Sequence, residues 1–128
     1  MTIAMTADPK ERLEMLKAIL YICYRYGQAE VILANFVACV RKIQRVPAFY
    51  EFENILSVQL GLDLETLAGQ GYVKCTNFTP LGRISFLENH ISSGKAAARK
   101  LKEEDIKSIK ETIEYLNPSL RGKWQGLN

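Results

Sequence analysis

Residues 69–88 read GQGYVKCTNFTPLGRISFLE. A glycine turn opens the stretch, an apolar run follows from Tyr72, Thr79-Pro80 interrupts it, and apolar residues resume at Leu81, Ile84 and Leu87. Glycine and proline are the strongest local punctuators of structure. GYVKCTNF is long enough for two short strands with almost no loop, or for one strand and a turn, so a small two-stranded β element is expected within 71–79. Thr79 as N-cap and Pro80 at the first helical position then predict a helix through PLGRISFLENHI, with Leu81, Ile84 and Leu87 on one face. Gly82 inside that helix costs about 1 kcal/mol relative to alanine and predicts a close backbone approach.

Upstream, Asp8-Pro9 has the form of a helix start, and KERLEMLKAILYICYRY runs on to Gly27 as the residue past its end. Leu13, Leu16, Leu20, Cys23 and Tyr24 make one apolar stripe; Ile19, Ile22 and Tyr26 widen it, so the second half of this helix is expected to be buried on most sides. AEVILANFVACVRKIQR (29–45) reads as a second helix stopped by Pro47, with a strand at 31–34 as the alternative because of its β-branched residues. A third helical region over 53–70 carries Ile55, Leu56, Leu60, Leu64 and Leu67. Gly61 interrupts it, leaving one bent helix or two short ones, the later capped by Asp63.

Downstream, SSGKAAARK (92–100) reads as a basic connector or a frayed helical segment. LKEEDIKSIKETIEYL is an amphipathic helix with Ile106, Ile109, Ile113 and Leu116 as its stripe and acids in its first turn. Asn117-Pro118 ends it, and the tail SLRGKWQGLN holds the single tryptophan, Trp124.

A length of 128 residues suits one domain, with an apolar fraction of 48 % and a net charge of +3. Cys23, Cys39 and Cys75 form no CxxC pair, which argues against a zinc knuckle or a redox motif and for reduced thiols. MTIAMTADPK lacks the features of a signal peptide, and VILANFVACV (31–40) is about half the length of a bilayer span. A cytoplasmic protein without membrane association is expected.

Two helices, a third helix, LETLAGQGYV, a tiny hairpin and TPLGR follow the order of a winged helix-turn-helix. LETLAGQGYVKCTNFTPLGRISFLE resembles the segment of many prokaryotic winged-helix regulators in which a helix ends at L…GYV, two wing strands follow, and LTPLGR opens the next helix. A looser similarity, through the aromatic FYEF and the late EEDI helix, is to small winged-helix proteins of the Panacea antitoxin and YwgA type; VQLGLD stands where that group carries a glycine-proline-tyrosine-serine stretch. The resemblance implies a mainly α fold: a winged-helix core over 1–91 with a short two-stranded wing, a basic connector at 92–102, and a C-terminal helix and tail at 103–128 packed on the domain or on a dimer partner.

In such proteins the third helix meets the major groove, which implies transcription-related regulation by occupancy of double-stranded DNA. Arg41, Lys42, Arg45, Lys74 and Arg83 are then the expected phosphate contacts, with Gln59 or Thr66 toward bases. Against this, residues 51–73 hold four acids and no base, and a helix of that charge repels phosphate. The alternative is a protein-interaction adaptor, with an acidic third helix and an apolar tail. Ile106, Ile109, Ile113, Leu116 and Trp124 are the candidate surface for a homodimer or another protein, or simply pack on their own domain. No enzyme, cofactor or metal is expected: His90 stands alone, Glu51 and Glu53 lack a partner motif, and GQG precedes a strand instead of opening a phosphate-binding helix.

Overall fold

The computed structural model describes residues 8–43, 50, 52, 57–88 and 91–128. Among them are five α-helices and three strands: α1 (Pro9–Tyr24), β1 (Glu30–Ile32), α2 (Leu33–Ile43), α3 (Val58–Gly69), β2 (Val73–Cys75), β3 (Arg83–Phe86), α4 (Ile91–Arg99) and α5 (Glu103–Leu116). A 3-10 turn at Pro118–Leu120 follows. No helix among the described residues is long and apolar enough to cross a membrane.

The first helix starts as its sequence implies. Asp8 accepts a hydrogen bond from the Lys10 N–H at 2.7 Å, and Pro9 occupies the first helical position. From Ala18 to Cys23 every residue of α1 is buried. Burial on all sides follows from its place at the centre: α2, α3, α4 and α5 all pack against it.

The two alternatives for 29–45 are both realised in part. The β-branched start forms β1, and α2 begins directly after it at Leu33. Arg45, Pro47, Glu51, Glu53, Ile55, Leu56 and His90 lie outside the described residues. Asp63 does not cap a second short helix. It sits in mid-α3, which runs unbroken through Gly61 and is capped by Ser57, whose hydroxyl accepts from the Leu60 N–H.

The glycine turn at the head of the opening stretch is a helix C-terminus. Gly71 takes φ 76°, the left-handed region. Its N–H donates to the Ala68 carbonyl at 3.0 Å, while the Tyr72 N–H donates to the Leu67 carbonyl at 2.9 Å. These are the paired bonds of a Schellman motif, which satisfy carbonyls that the end of a helix leaves unpaired.

Beyond Tyr72 the expectation of two strands within 71–79 is corrected. Only β2 lies there; its partner β3 comes after Thr79-Pro80, and 76–82 is the loop between them. The helix expected from Thr79 does not form. Leu81, the first residue of its supposed stripe, is 84 % exposed. Within RISF only Ile84 is fully buried, and the segment pairs on both sides as a strand. The sheet is three-stranded and antiparallel, in the order β1-β3-β2. Ile84 sits opposite both Val31 and Cys75, so a central strand closes over the core.

The 76–82 loop is held from several sides. Thr76 accepts the Arg83 N–H on its hydroxyl at 3.0 Å, and the Gly82 N–H donates to the Thr79 carbonyl at 2.8 Å. The Gly82 carbonyl accepts from the Leu33 N–H at 2.8 Å and the Pro80 carbonyl from the Ala34 N–H at 3.3 Å. Two of the orphan donors at the start of α2 are therefore satisfied by the loop.

Residues 92–100, read as a basic connector or a frayed helical segment, lie mostly in a packed helix. Gly94, Ala97 and Ala98 of α4 are buried against α1. A β-carbon at Gly94 would collide with the Tyr72 hydroxyl and come within 3.1 Å of Tyr21 Cβ. Its run of small residues is thus a contact face that lets two helices approach closely.

Gly82 has a sharper restriction, because a β-carbon there would collide with the backbone oxygen of Asn77. Gly82→Ala is expected to destabilise the fold by about 1–3 kcal/mol. Gly69, at the last position of α3 with nothing within 4 Å of a β-carbon, is the contrast. Gly69→Ala is expected to be neutral or to stabilise by up to about 1 kcal/mol. Urea midpoints at unchanged slope check both signs.

Candidate functional site

The residues that place α3 are polar and buried. Asp63 accepts from Arg12 Nε at 2.8 Å, from Tyr50 Oη at 2.6 Å and from Gln59 Nε2 at 2.9 Å. Arg12, Tyr50 and Asp63 are each buried. Burial alone raises the Asp63 carboxyl, but the hydrogen bonds from Arg12, Tyr50 and Gln59 outweigh it and hold the group below its usual range. Tyr50 moves the other way: burial first, then its bond to Asp63, push the phenol up. Arg12 is raised, chiefly by the same carboxylate. The cluster is a closed ion pair joining α1 to α3.

With Asp63, Leu60, Leu64 and Leu67 facing inward, the outer face of α3 follows from helical spacing. It presents Val58, 81 % exposed, and Leu62, 51 % exposed, four residues apart on one face. Glu65, Thr66, Gly69 and Gln70 complete the exposed positions. Between Val58 and Leu62 sits Gly61, and Phe78 of the 76–82 loop lies against it, its ring 3.0 Å from where a β-carbon would stand. Gly61 therefore admits the aromatic ring instead of bending the helix. Val58, Leu62 and the half-buried edge of Phe78 form an apolar surface, and α3 contains no lysine or arginine.

The residues expected to meet DNA are differently placed. Gln59 is part-buried and its amide nitrogen is engaged by Asp63. Thr66 is exposed, with its hydroxyl donating to the Leu62 carbonyl at 3.1 Å. Arg41 and Lys42 end α2, the Arg41 guanidinium lying 5.0 Å from the centre of the Phe52 ring. Strand pairing brings Lys74 and Arg83 onto the outer face of the sheet together with Glu30 and Ser85. Arg83 is paired there with Glu30 at 3.1 Å. Arg45 lies outside the described residues.

The candidate interface of the last helix is divided. Ile109 and Ile113 are buried in the core, against α2 and α1. Ile106 and Trp124 are partly buried on it; Trp124 packs on Tyr26 at 5.3 Å and lies under Lys110. Leu116 is exposed beside Tyr115. The tail itself is strapped to the end of α1: Arg25 Nε donates to the Gly126 carbonyl at 2.7 Å and Tyr21 Oη to the Leu127 carbonyl at 2.7 Å.

Val58, Leu62 and Phe78 were not singled out from sequence. The signal was present, because Val58 and Leu62 share a spacing of four but fall outside the Leu60, Leu64 and Leu67 stripe. No family model, no curated protein and no solved structure matches the chain.

Removing the Asp63 charge takes from the buried Arg12 guanidinium the carboxylate it pairs with at 2.8 Å. Asp63→Asn is expected to destabilise the fold by about 3–5 kcal/mol. Because the folded carboxyl titrates below its ordinary value of 3.8, its contribution is present above that value and is lost as pH falls through the folded one. Wild-type stability therefore declines on acidification below about pH 4, and the Asp63→Asn curve is flatter there. Urea unfolding at several acidic pH values measures both.

Proposed function

We propose that this chain is a winged-helix module that works as a regulatory adaptor, docking another protein on the outer face of α3 and the loop beside it. The order α2, α3, β2, β3 supports the winged-helix reading, with the 76–82 loop as the wing. The observation that carries the protein-binding reading is the chemistry of α3: two large exposed apolar side chains, one exposed carboxylate and no base.

A helix that enters a major groove works beside phosphates, and affinity there comes mainly from lysine and arginine releasing counterions. The face of α3 provides none. Aliphatic residues next to an aromatic edge, rimmed by Glu65, Thr66 and Gln70, match the centre and rim of a protein interface instead. Adaptor action needs no reaction, so the module is read as non-catalytic. In this reading the α5 stripe stabilises the chain itself.

Two measurements test it. In the first, a labelled mixed-sequence duplex is titrated with protein at low salt and again at about 200 mM. The expected anisotropy change is slight at both. Tight binding at low salt that collapses with added salt, and is lost in a Lys42→Glu, Lys74→Glu variant, would establish DNA as the ligand and overturn the proposal. In the second, proteins retained from source-cell extract are compared between wild type, Lys42→Glu and Leu62→Glu. A protein held by the first two and reduced about tenfold or more by Leu62→Glu is expected, as for the loss of an apolar anchor. Equal retention by all three rejects the α3 face as the docking surface.

A further inference from the structure

A cavity of about 210 Å³ lies where β1 passes into α2, opposite the end of α5. Val58, Leu62 and Phe78 do not line it, so it is separate from the docking surface on α3. Its wall is aliphatic, with Val31 and Ile113 buried and Leu120 partly buried. Its rim is polar and open to solvent, because the side chains of Glu30 and Arg83 are 42 % and 50 % exposed. Half-buried Asn35 and Asn117 add two amides. Among the described residues the Asn35 side chain makes no hydrogen bond, and Asn117 engages only its Oδ1, with the Ser119 hydroxyl at 2.6 Å. Arg83 makes one side-chain bond, from Nη1 to Glu30 Oε1 at 3.1 Å, which leaves the rest of its fork of donors unused. The strand contributes as well. β1 is an edge strand, with β3 as its neighbour in the sheet. The Phe86 N–H donates to the Ala29 carbonyl and the Leu33 N–H to the Gly82 carbonyl. Antiparallel pairing alternates along the strand, so Glu30 and Ile32 turn their N–H and carbonyl groups away from β3, to the open edge.

We propose that this cavity binds a free α-amino acid with an aliphatic side chain, leucine being the type case. Pockets for drug-sized ligands span roughly 300–1,000 Å³, so the occupant is a smaller molecule. One carboxylate and one guanidinium are the charged groups of the lining, and together they favour an occupant of zero net charge. No aromatic side chain lines the cavity, so a flat heterocycle finds no ring to stack on. A zwitterion uses both charges. Its ammonium donates to the Glu30 carboxylate and to the Glu30 carbonyl at the strand edge. Its carboxylate accepts from the planar fork of Arg83 and from the Ile32 N–H. The amide of Asn35 supplies a further donor and acceptor, and the aliphatic side chain covers Val31, Ile113 and Leu120. Opening the Glu30–Arg83 contact to admit the zwitterion costs little, because an exposed ion pair contributes little to stability.

The test is an NMR titration of the full nitrogen-15-labelled chain with leucine, aspartate, leucinamide and N-acetyl-leucine in turn. Leucine is expected to move the backbone amides of Glu30 and Ile32 and the side-chain amides of Asn35 and Asn117, saturably, with a Kd of about 1 mM or tighter. Leucinamide lacks the carboxylate and N-acetyl-leucine lacks the ammonium; each is expected to bind about tenfold more weakly or worse. Aspartate, with no aliphatic side chain, is expected to leave these signals in place. Arg83→Gln, at an exposed position, is expected to keep the dispersed spectrum of the fold and to weaken leucine about tenfold. Three results each overturn the proposal: no saturable shift with leucine, shifts confined to residues away from the cavity, or aspartate or either leucine derivative binding as tightly as leucine.

Discussion

The carboxylate of Asp63 sets the orientation of the third helix. A charge buried in a low-dielectric interior is tolerated only when paired and hydrogen-bonded. Asp63 meets that requirement with three donors, one on α1, one from Tyr50 and one a turn away on α3. Rotating α3 about its axis would separate the buried carboxylate from Arg12 and break the ion pair between them. An apolar stripe of leucines tolerates small rotations, because burial is non-directional. The ion pair does not, so it fixes which residues of α3 face outward.

That orientation decides the chemistry of the exposed surface. With Asp63 turned in, Glu65 is the exposed acid of α3, while Val58 and Leu62 are turned out. The positive charge of the chain is not gathered there. Arg83 is paired with Glu30, Lys17 and Lys100 both approach Glu14, and Arg99 reaches Asn128. Among the described residues these cations are engaged on separate surfaces, and α3 itself contributes no lysine or arginine.

Much of the helical framework was legible because its signals are local. Asp8-Pro9, the wide stripe of the first helix and the EEDI start of the last each act within a few residues of themselves. The region after Gly71 was misread because its determinants are distant. Leu81, Ile84 and Leu87 fit a helical spacing, yet β3 owes its conformation to pairing with strands on both sides, one of them formed fifty residues earlier by 30–32. Pairing of that range leaves no periodic mark in a four-residue strand. Asp63 was misread for the same reason, since its partner Arg12 is 51 positions away. The small residues of α4 resembled a linker by composition, whereas their size is what close packing on α1 requires. The exposed pair on α3 was readable by spacing and was passed over for the stronger leucine stripe.

The loop at 76–82 joins these constraints into one surface. Its carbonyls at Pro80 and Gly82 hold the start of α2, its ends hold β2 to β3, and Phe78 rests on Gly61 of α3. None of those contacts survives if the loop swings away, and each belongs to a different element. Phe78 therefore stays beside Val58 and Leu62 without a partner present. A binding face already in place loses less conformational freedom on association than one that must be ordered by its ligand. The same contacts that hold the start of α2 thus also seat Phe78 against α3, and the proposed docking face is fixed by interactions the fold already needs.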